Sequence, residues 1–387
     1  MCAVIIFFVT LHIKKCIMAE AKKKVLVAMS GGVDSSAVCL MLQEQGYEVV
    51  GMTMRVWDLP RQFAPGETEP DFILKARALA ERLGIEHHVV DVREEFRASI
   101  VRYFLDEYEA GRTPNPCVVC NRDFKFRLME EWADRLQCDF MATGHYVKTE
   151  RKDEAVYLLM GDDVRKDQSY FLWRVPQRIL QRCIFPLGAM EKPAVRDYLD
   201  EKGFAVQSRE SESMEVCFVE GDYRDFLRAE RPELLQKNGG AYVNAVGQKI
   251  GQHSGVPFYT VGQRKGLGIA LGYPAYVVRL NAEKNTIVLG AETDLLAQAF
   301  FVEDFCMVDE AAFFASQQLS VRIRYHSQPV SCSVERLSDG RLLVRTAKDV
   351  SAVTPGQSAV FYEGNRLVGG AVISFQKGIG AYLSSAE

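Results

Sequence analysis

Short apolar runs alternate with amphipathic stretches through the first two hundred residues. The Val-rich run "KKVLVAMS" (23–30) suits a strand buried on both faces. "DSSAVCLMLQEQG" (34–46) has helical spacing and closes on a glycine, and "YEVVGMTM" (47–54) reads as a second strand. A helix over 71–84, a strand "HHVVDV" and a helix over 94–111 continue the rhythm. The helix "NRDFKFRLMEEWADRL" (121–136), with Asn121 as its N-cap, precedes a strand in "DFMATGH" (139–145). This β-α-β-α order predicts an α/β domain, a parallel sheet with helices on both faces.

After about residue 218 the texture changes. Residues 219–288 are Gly-rich and predict a small, loop-heavy module with short strands. From 289 the alternation has period two, and Asp339-Gly340 suggests a type I′ hairpin. A small antiparallel barrel over 289–387 is expected. The main domain then spans 18–218. Residues 1–17 carry the apolar "MCAVIIFFVTLHI", shorter than the roughly 20 residues that cross a bilayer. They lack signal-peptide features, and Met18 reads as the natural start.

Composition narrows the class. With 387 residues, 48% hydrophobic and 25% charged, several globular cores are expected, and a net charge of −4 argues against a globally basic nucleic-acid binder. Ten cysteines are too sparse for a disulfide scaffold, so a reducing cytoplasmic setting fits.

"VLVAMSGGVDSSAV" is the most informative local motif. Two glycines let the backbone turn tightly after a strand, and serine hydroxyls and helix N–H groups face an anion. The loop is neither a Walker A loop nor G-x-G-x-x-G. "TPNPCVVCN" (113–121) holds Cys117 and Cys120. Zinc would want a second close pair, which is absent, and a thioredoxin-like pair wants a different βαβ context. Two buried structural thiols remain the bland alternative. A helix beginning just after Cys120, with Arg122 and Lys125 beside it, would lower the thiol pKa and favour nucleophilic sulfur. Cys217 lies in the polar stretch "SRESESMEVCFVEGDY", a poor setting for a packing cysteine.

S-G-G-x-D-S after a buried strand resembles the PP-loop of ATP pyrophosphatases. "AMSGGVDSS", "GMTMRVWD", "GRTPNPCVVCNRDFKF", "ATGHY", "KDQSYFLWRV", "FPLG", "SMEVCFV", "HSGVPFYTVGQRKGLGI", "RIRY" and "TPGQSAVFY" together resemble the tRNA-uridine 2-sulfurtransferases. The resemblance runs from Lys23 to the last strand. It implies ATP-dependent conversion of the wobble uridine, position 34 of tRNA, to 2-thiouridine, with Mg²⁺ accompanying ATP. It implies an ATP site along Ala28, Met29, Ser30, Gly31, Gly32, Val33, Asp34 and Ser35, with Met54 and Gly144 lining it. Cys217 would carry a persulfide and Cys120 would act with it through a transient disulfide. Asn115, Pro116, Cys117, His145, Lys166, Asp167, Gln168, Arg324, Tyr325 and Gln357 would contact tRNA, with Lys, Glu and Gln acceptors typical. The implied sulfur donor is a cysteine desulfurase or a relay protein.

Many members have Asp where this chain has Cys117. Cys117, Cys120 and Cys217 therefore form a possible ligand set for a 4Fe-4S cluster, the main alternative route for sulfur. An amide-forming PP-loop ligase, which needs neither Cys120 nor Cys217, and a tRNA-binding protein without turnover are weaker alternatives.

Overall fold

Val25, Leu26 and Val27 are fully buried at the centre of strand β1 (Lys24–Ala28), the middle of the first sheet. The protein is described here by a computed structural model over residues 22–208, 216–237 and 239–376. The expected leader, 1–17, and most of the polar stretch ahead of Cys217 lie outside the described residues.

From β1 the chain runs through helix α1 (Val33–Glu44), strand β2 (Glu48–Arg55), helix α2 (Asp71–Leu83) and strand β3 (Glu86–Asp91). Helix α3 (93–109) and helix α4 (116–135) follow, each with a π-helical turn in its middle. Strands β4 (Phe140–Ala142), β5 (Val147–Lys152), β6 (Ala155–Met160) and β7 (Cys183–Ile184) lead to helix α5 (Lys192–Glu201). The first sheet has the order β3-β2-β1-β4-β7, all parallel. The order reverses at β1, between β2 and β4, the switch point where open α/β sheets bind ligands at their carboxyl ends. Alternation along β1 divides two cores. Val25 and Val27 pack with α1, α2 and α5, whereas Leu26 packs with α3 and α4. The predicted parallel sheet covered on both faces is therefore present.

The expected helix start at Asn121 is not. Helix α4 opens at Pro116, the N1 position, and Asn121 is buried inside it. Proline's fixed φ and missing N–H suit N1, so "PNP" ends a loop and starts a helix in three residues.

Beyond helix α6 (Tyr223–Glu230), strands β8 (Gly240–Val243), β9 (Lys249–His253), β10 (Tyr276–Asn281) and β11 (Thr286–Gly290) form a four-stranded sheet, order β10-β11-β8-β9. The last part contains β12 (Leu296–Met307), β13 (Leu319–Arg322), β14 (Val330–Arg336), β15 (Leu342–Ser351), β16 (Ser358–Glu363) and β17 (Arg366–Ile373). These six run antiparallel, and β12 pairing with β17 closes them into a barrel. Closure removes the exposed edges of the sheet. The β14–β15 turn departs from type I′. Leu337 and Arg341 enclose a three-residue loop in which Gly340, at φ 85°, takes the left-handed position and Asp339 does not.

The hairpin β5–β6 leaves the parallel sheet and joins the barrel. Arg366 and Leu367 of β17 pair with Leu159 and Leu158 of β6. One sheet therefore continues from the first 218 residues into the barrel. A buried ion pair locks the same junction: Arg322 Nη1 of β13 meets Asp167 Oδ2 at 2.8 Å, and both side chains are more than 90% buried. Asp167 also accepts the backbone N–H groups of Gly161 and Ser169 and the Ser169 hydroxyl.

Removing the cation leaves a desolvated carboxylate without its counter-charge. Arg322→Met is expected to lower the urea midpoint by the equivalent of about 3–5 kcal/mol. Breaking the exposed Arg178–Glu130 pair should cost under about 1 kcal/mol. Equal losses in the two variants would show that the buried pair does not hold the junction.

Candidate active site: the phosphate loop and the cysteine helix

The loop between β1 and α1 is shaped by its own backbone and hydroxyls. Met29 N–H donates to Met52 O, and Thr53 Oγ1 donates to Met29 O, which fixes the end of β1 against β2. Ser30 N–H donates to Ser35 Oγ at 3.2 Å, and the Ser35 and Ser36 hydroxyls donate to Gly32 O. Gly31 sits at φ 72°, and a β-carbon there would lie 2.6 Å from Phe72 O of α2. Only glycine satisfies both constraints. Gly32 is the N-cap of α1, and no side chain caps the first turn. That end of the helix is a ready anion site.

Asp34 is the charged group of this loop. Its Oδ1 accepts from Tyr146 Oη and Lys192 Nζ, each at 2.7 Å. Lys192 is buried at the start of α5. No local pattern links Tyr146 or Lys192 to Asp34, because residues 112 and 158 positions away reach it only in the fold. The Asp34 carboxylate at this loop suits one oxygen ligand to Mg²⁺. Met54 lies at the carboxyl end of β2 and Gly144 just beyond β4. Gly144 is packed on the loop, since a β-carbon there would come 2.8 Å from Asp34 Cβ.

The cysteines occupy the start of helix α4, not the loop before it. Pro116, Cys117 and Cys120 belong to the helix, with Asn115 as N-cap. Cys117 is exposed and Cys120 partly buried. The barrel grips the entry to this helix. Thr113 N–H donates to Pro355 O at 2.8 Å, and Gln357 Nε2 donates to the carbonyls of Thr113 (3.1 Å) and Pro114 (2.8 Å). Asn115 Nδ2 donates to Ser358 Oγ at 3.3 Å.

Cys217 is exposed, but its neighbour Phe218 is buried. The Phe218 ring meets Phe96 and Phe104 of α3, Trp57 and Phe226, with centroids 5.2–6.2 Å apart. Phe96 in turn meets Phe124 in the π-helical turn of α4. This aromatic cluster ties the Cys217 segment to the helix that bears Cys117 and Cys120. The three thiols are close enough for Cys117 and Cys120 to repel charge on Cys217.

Lys125 is the cation they share. It lies on the π-helical turn, and its Nζ donates to Asn121 Oδ1 at 3.1 Å, while Asn121 Nδ2 donates to Phe171 O. Its charge favours thiolate at all three cysteines. Surrounding protein outweighs it. Desolvation raises all three thiols, Cys120 to about 11 and Cys217 to about 12, although water still reaches Cys117 and Cys217. The lowered Cys120 pKa expected from a neighbouring helix start is thus reversed. Burial, and then Lys125, push His145 down to about 3, so it is neutral, with Nδ1 2.7 Å from Thr143 Oγ1. His145 stacks on Phe126 of α4 at 5.9 Å.

Several residues expected at tRNA are committed inside the protein. Asp167 and Asn115 are buried. Gln168 clamps Tyr146, accepting its N–H at Oε1 and donating its own N–H to Tyr146 O. Gln357 spends its amide on the cysteine-helix entry, as above. Arg324 is exposed and donates to Ser351 O and Ala352 O. Tyr325 lies 4.5 Å from Phe171 between ring centroids and is near enough to sense Cys117. Lys166 is partly exposed.

The three-cysteine ligand set does not form as placed. Among the described residues, no group of three or more His, Cys, Asp or Glu side chains is arranged to hold a metal.

Three family models match successive parts of the chain. A model described as the tRNA methyl transferase HUP domain matches residues 23–221, one described as a PRC-barrel domain matches 224–291, and an aminomethyltransferase β-barrel domain matches 297–373. A tRNA-specific 2-thiouridylase of Phocaeicola vulgatus is 58% identical over 364 residues, 94% of this chain and 97% of its own length. The chain belongs to the tRNA-specific 2-thiouridylase family. A second 2-thiouridylase, from Cytophaga hutchinsonii, is 44% identical over 90% of this chain and 96% of its own. Two solved structures that match are more distant. A 4-thiouridine synthetase–RNA complex with bound ATP has TM-score 0.35 and 16% identity, covering 55% of this chain and 51% of that one. A U34-tRNA thiolase of Methanococcus maripaludis with its 4Fe-4S cluster has TM-score 0.34 and 18% identity, covering 56% and 68%.

Two outcomes test this geometry. Thiols held protonated should react with iodoacetamide ever faster as pH rises, without levelling off below about pH 9. A plateau near pH 7 at Cys120 or Cys217, read by mass spectrometry of the alkylated peptides, would contradict it. Gly144→Ala should weaken ATP binding by more than about tenfold by pushing Asp34 out of the loop. Calorimetry with ATP measures this, and unchanged affinity would place ATP elsewhere.

Proposed function

We propose that this protein catalyses ATP-dependent 2-thiolation of the wobble uridine of tRNA. The observation that carries the reading is the short segment Thr143–His145 at the end of β4. Gly144 packs on Asp34 of the phosphate loop, and the next residue, His145, stacks on the cysteine helix. A base activated at the loop would therefore lie beside the thiols. The matched model's description speaks of methyl transfer, but the relatives matched over almost their whole length are thiouridylases.

In this reading ATP binds along Ala28–Ser35, between Met54 and Gly144. The uracil C2 oxygen attacks the α-phosphorus and pyrophosphate leaves. Asp34 would be a protein ligand for Mg²⁺ accompanying ATP, which would supply charge neutralisation. The base must leave the anticodon stack to reach the site. The terminal sulfur of a Cys217 persulfide then attacks C2 and expels AMP with the original oxygen. Cys120 thiolate next attacks Cys217 Sγ, forming a disulfide and leaving the sulfur on C2. Lys125 stabilises each thiolate as it forms.

In this reading exposed Cys117 and Arg324 and partly exposed Lys166 and Tyr325, with His145, meet tRNA. Asn115, Asp167, Gln168 and Gln357 act by shaping that surface. The sulfur donor is a cysteine desulfurase or persulfide relay protein, the acceptors are tRNAs for Lys, Glu and Gln, and the setting is the cytoplasm. An amide-forming ligase would leave the gathered thiols without a role.

Incubation of the protein with ATP, tRNA and a persulfide donor, followed by mass spectrometry of nucleosides, should yield 2-thiouridine with equimolar AMP. Cys217→Ala should lower the yield by more than about 100-fold. Full thiolation by that variant would sink the assignment of Cys217.

A further inference from the structure

Helix α4 begins at Pro116, so Cys117 and Cys120 stand on successive turns at its start, three residues apart and on one face. Helical rise and radius put their Cα atoms about 5 Å apart, inside the range a disulfide bridges. The outer thiol is exposed, and the inner one is partly buried. The Phe218 ring, held by Phe96 against Phe124 of the same helix, fixes the Cys217 segment nearby. Charge on either helix cysteine is felt at Cys217. Three thiols thus share one site, although the sulfur transfer described above uses two.

We propose that Cys117 is the resolving thiol of this site: it attacks the Cys120–Cys217 disulfide and leaves a Cys117–Cys120 disulfide on the helix. This step rests on the sulfur-transfer reading above. Cys117 thiolate forms a bond to Cys120 Sγ, the Cys120–Cys217 bond breaks, and Cys217 leaves as thiolate, ready for another sulfur. The number of disulfides is unchanged, so the exchange needs no oxidant. The two-electron oxidation that accompanied thiolation now resides in the helix pair. An external dithiol reductant returns it to two thiols, supplying two electrons and two protons. Reductant then meets exposed Cys117 rather than partly buried Cys120, and an attack on the outer sulfur is the accessible one.

Trypsin places both helix cysteines in one peptide, 113–122, separate from Cys217. The test loads the full-length protein with inorganic polysulfide, supplies ATP and tRNA for one turnover without reductant, quenches in acid and alkylates. Wild type should show peptide 113–122 two hydrogens lighter and Cys217 alkylated. Cys117→Ser should instead accumulate peptide 113–122 cross-linked to the Cys217 peptide. With a protein dithiol as reductant, its steady-state rate should fall about tenfold more than its first turnover. Wild-type 2-thiouridine accompanied by a Cys120–Cys217 cross-link and alkylated Cys117 would overturn the resolving step alone. Stoichiometric iron and acid-labile sulfide in active, anaerobically purified protein, with no disulfide after turnover, would also overturn it. Absence of any 2-thiouridine would sink the proposed function and this step together.

Discussion

Ser358 on the barrel and the segment Thr113–Asn115 before the cysteine helix are held together by a small hydrogen-bond network. Ser358 Oγ accepts from Asn115 Nδ2 and from Trp173 Nε1 at 3.0 Å, while its carbonyl accepts from Tyr170 Oη. Gln357 and Pro355 take up the main-chain N–H and carbonyls of residues 113 and 114. A loop with two prolines cannot satisfy its carbonyls in regular structure, so a partner must supply the donors. The barrel does this, and the direction of helix α4, and with it the position of Cys117 and Cys120, follows from that contact.

The same junction is reinforced twice at other points. Strand β6 extends the barrel sheet beyond β17, and Arg322 reaches through to Asp167. Asp167 lies between Lys166 and Gln168, so the ion pair that joins the two parts also sets the loop expected to face tRNA. Removing the barrel would therefore disturb both the thiols and the surface proposed to meet tRNA. The buried pair is costly to form, and its retention makes sense where register between two bodies matters more than net stability.

Electrostatically the site stores thiols rather than thiolates. Burial raises Cys117, Cys120 and Cys217 against the pull of Lys125, and it keeps His145 neutral. Nucleophilic sulfur then depends on what arrives. A persulfide is more acidic than a thiol, and adenylation makes C2 electrophilic only when ATP and base are both bound. Low resting reactivity protects three neighbouring thiols from oxidation between turnovers.

The periodicities of the sequence determined the parallel sheet, its helices and the antiparallel barrel, because those patterns are local and carry the burial of each face. The phosphate loop was legible for the same reason: two glycines, an aspartate and the serines lie within six residues of one turn. Cys117, Cys120 and Cys217 could be singled out by their polar or proline-rich settings. Only the tertiary structure decided the rest. Helix α4 starts at Pro116 instead of Asn121 because the barrel satisfies the segment before it. Asp167, Gln168, Asn115 and Gln357 turn inward because partners from distant segments, up to 244 positions away in sequence, meet them. Lys192 and Tyr146 joined the phosphate loop, and Phe218 anchored Cys217, through contacts with no local pattern. The thiol pKa reversed sign because burial, a property of the assembled pocket, outweighs the charge of Lys125 next to the cysteines.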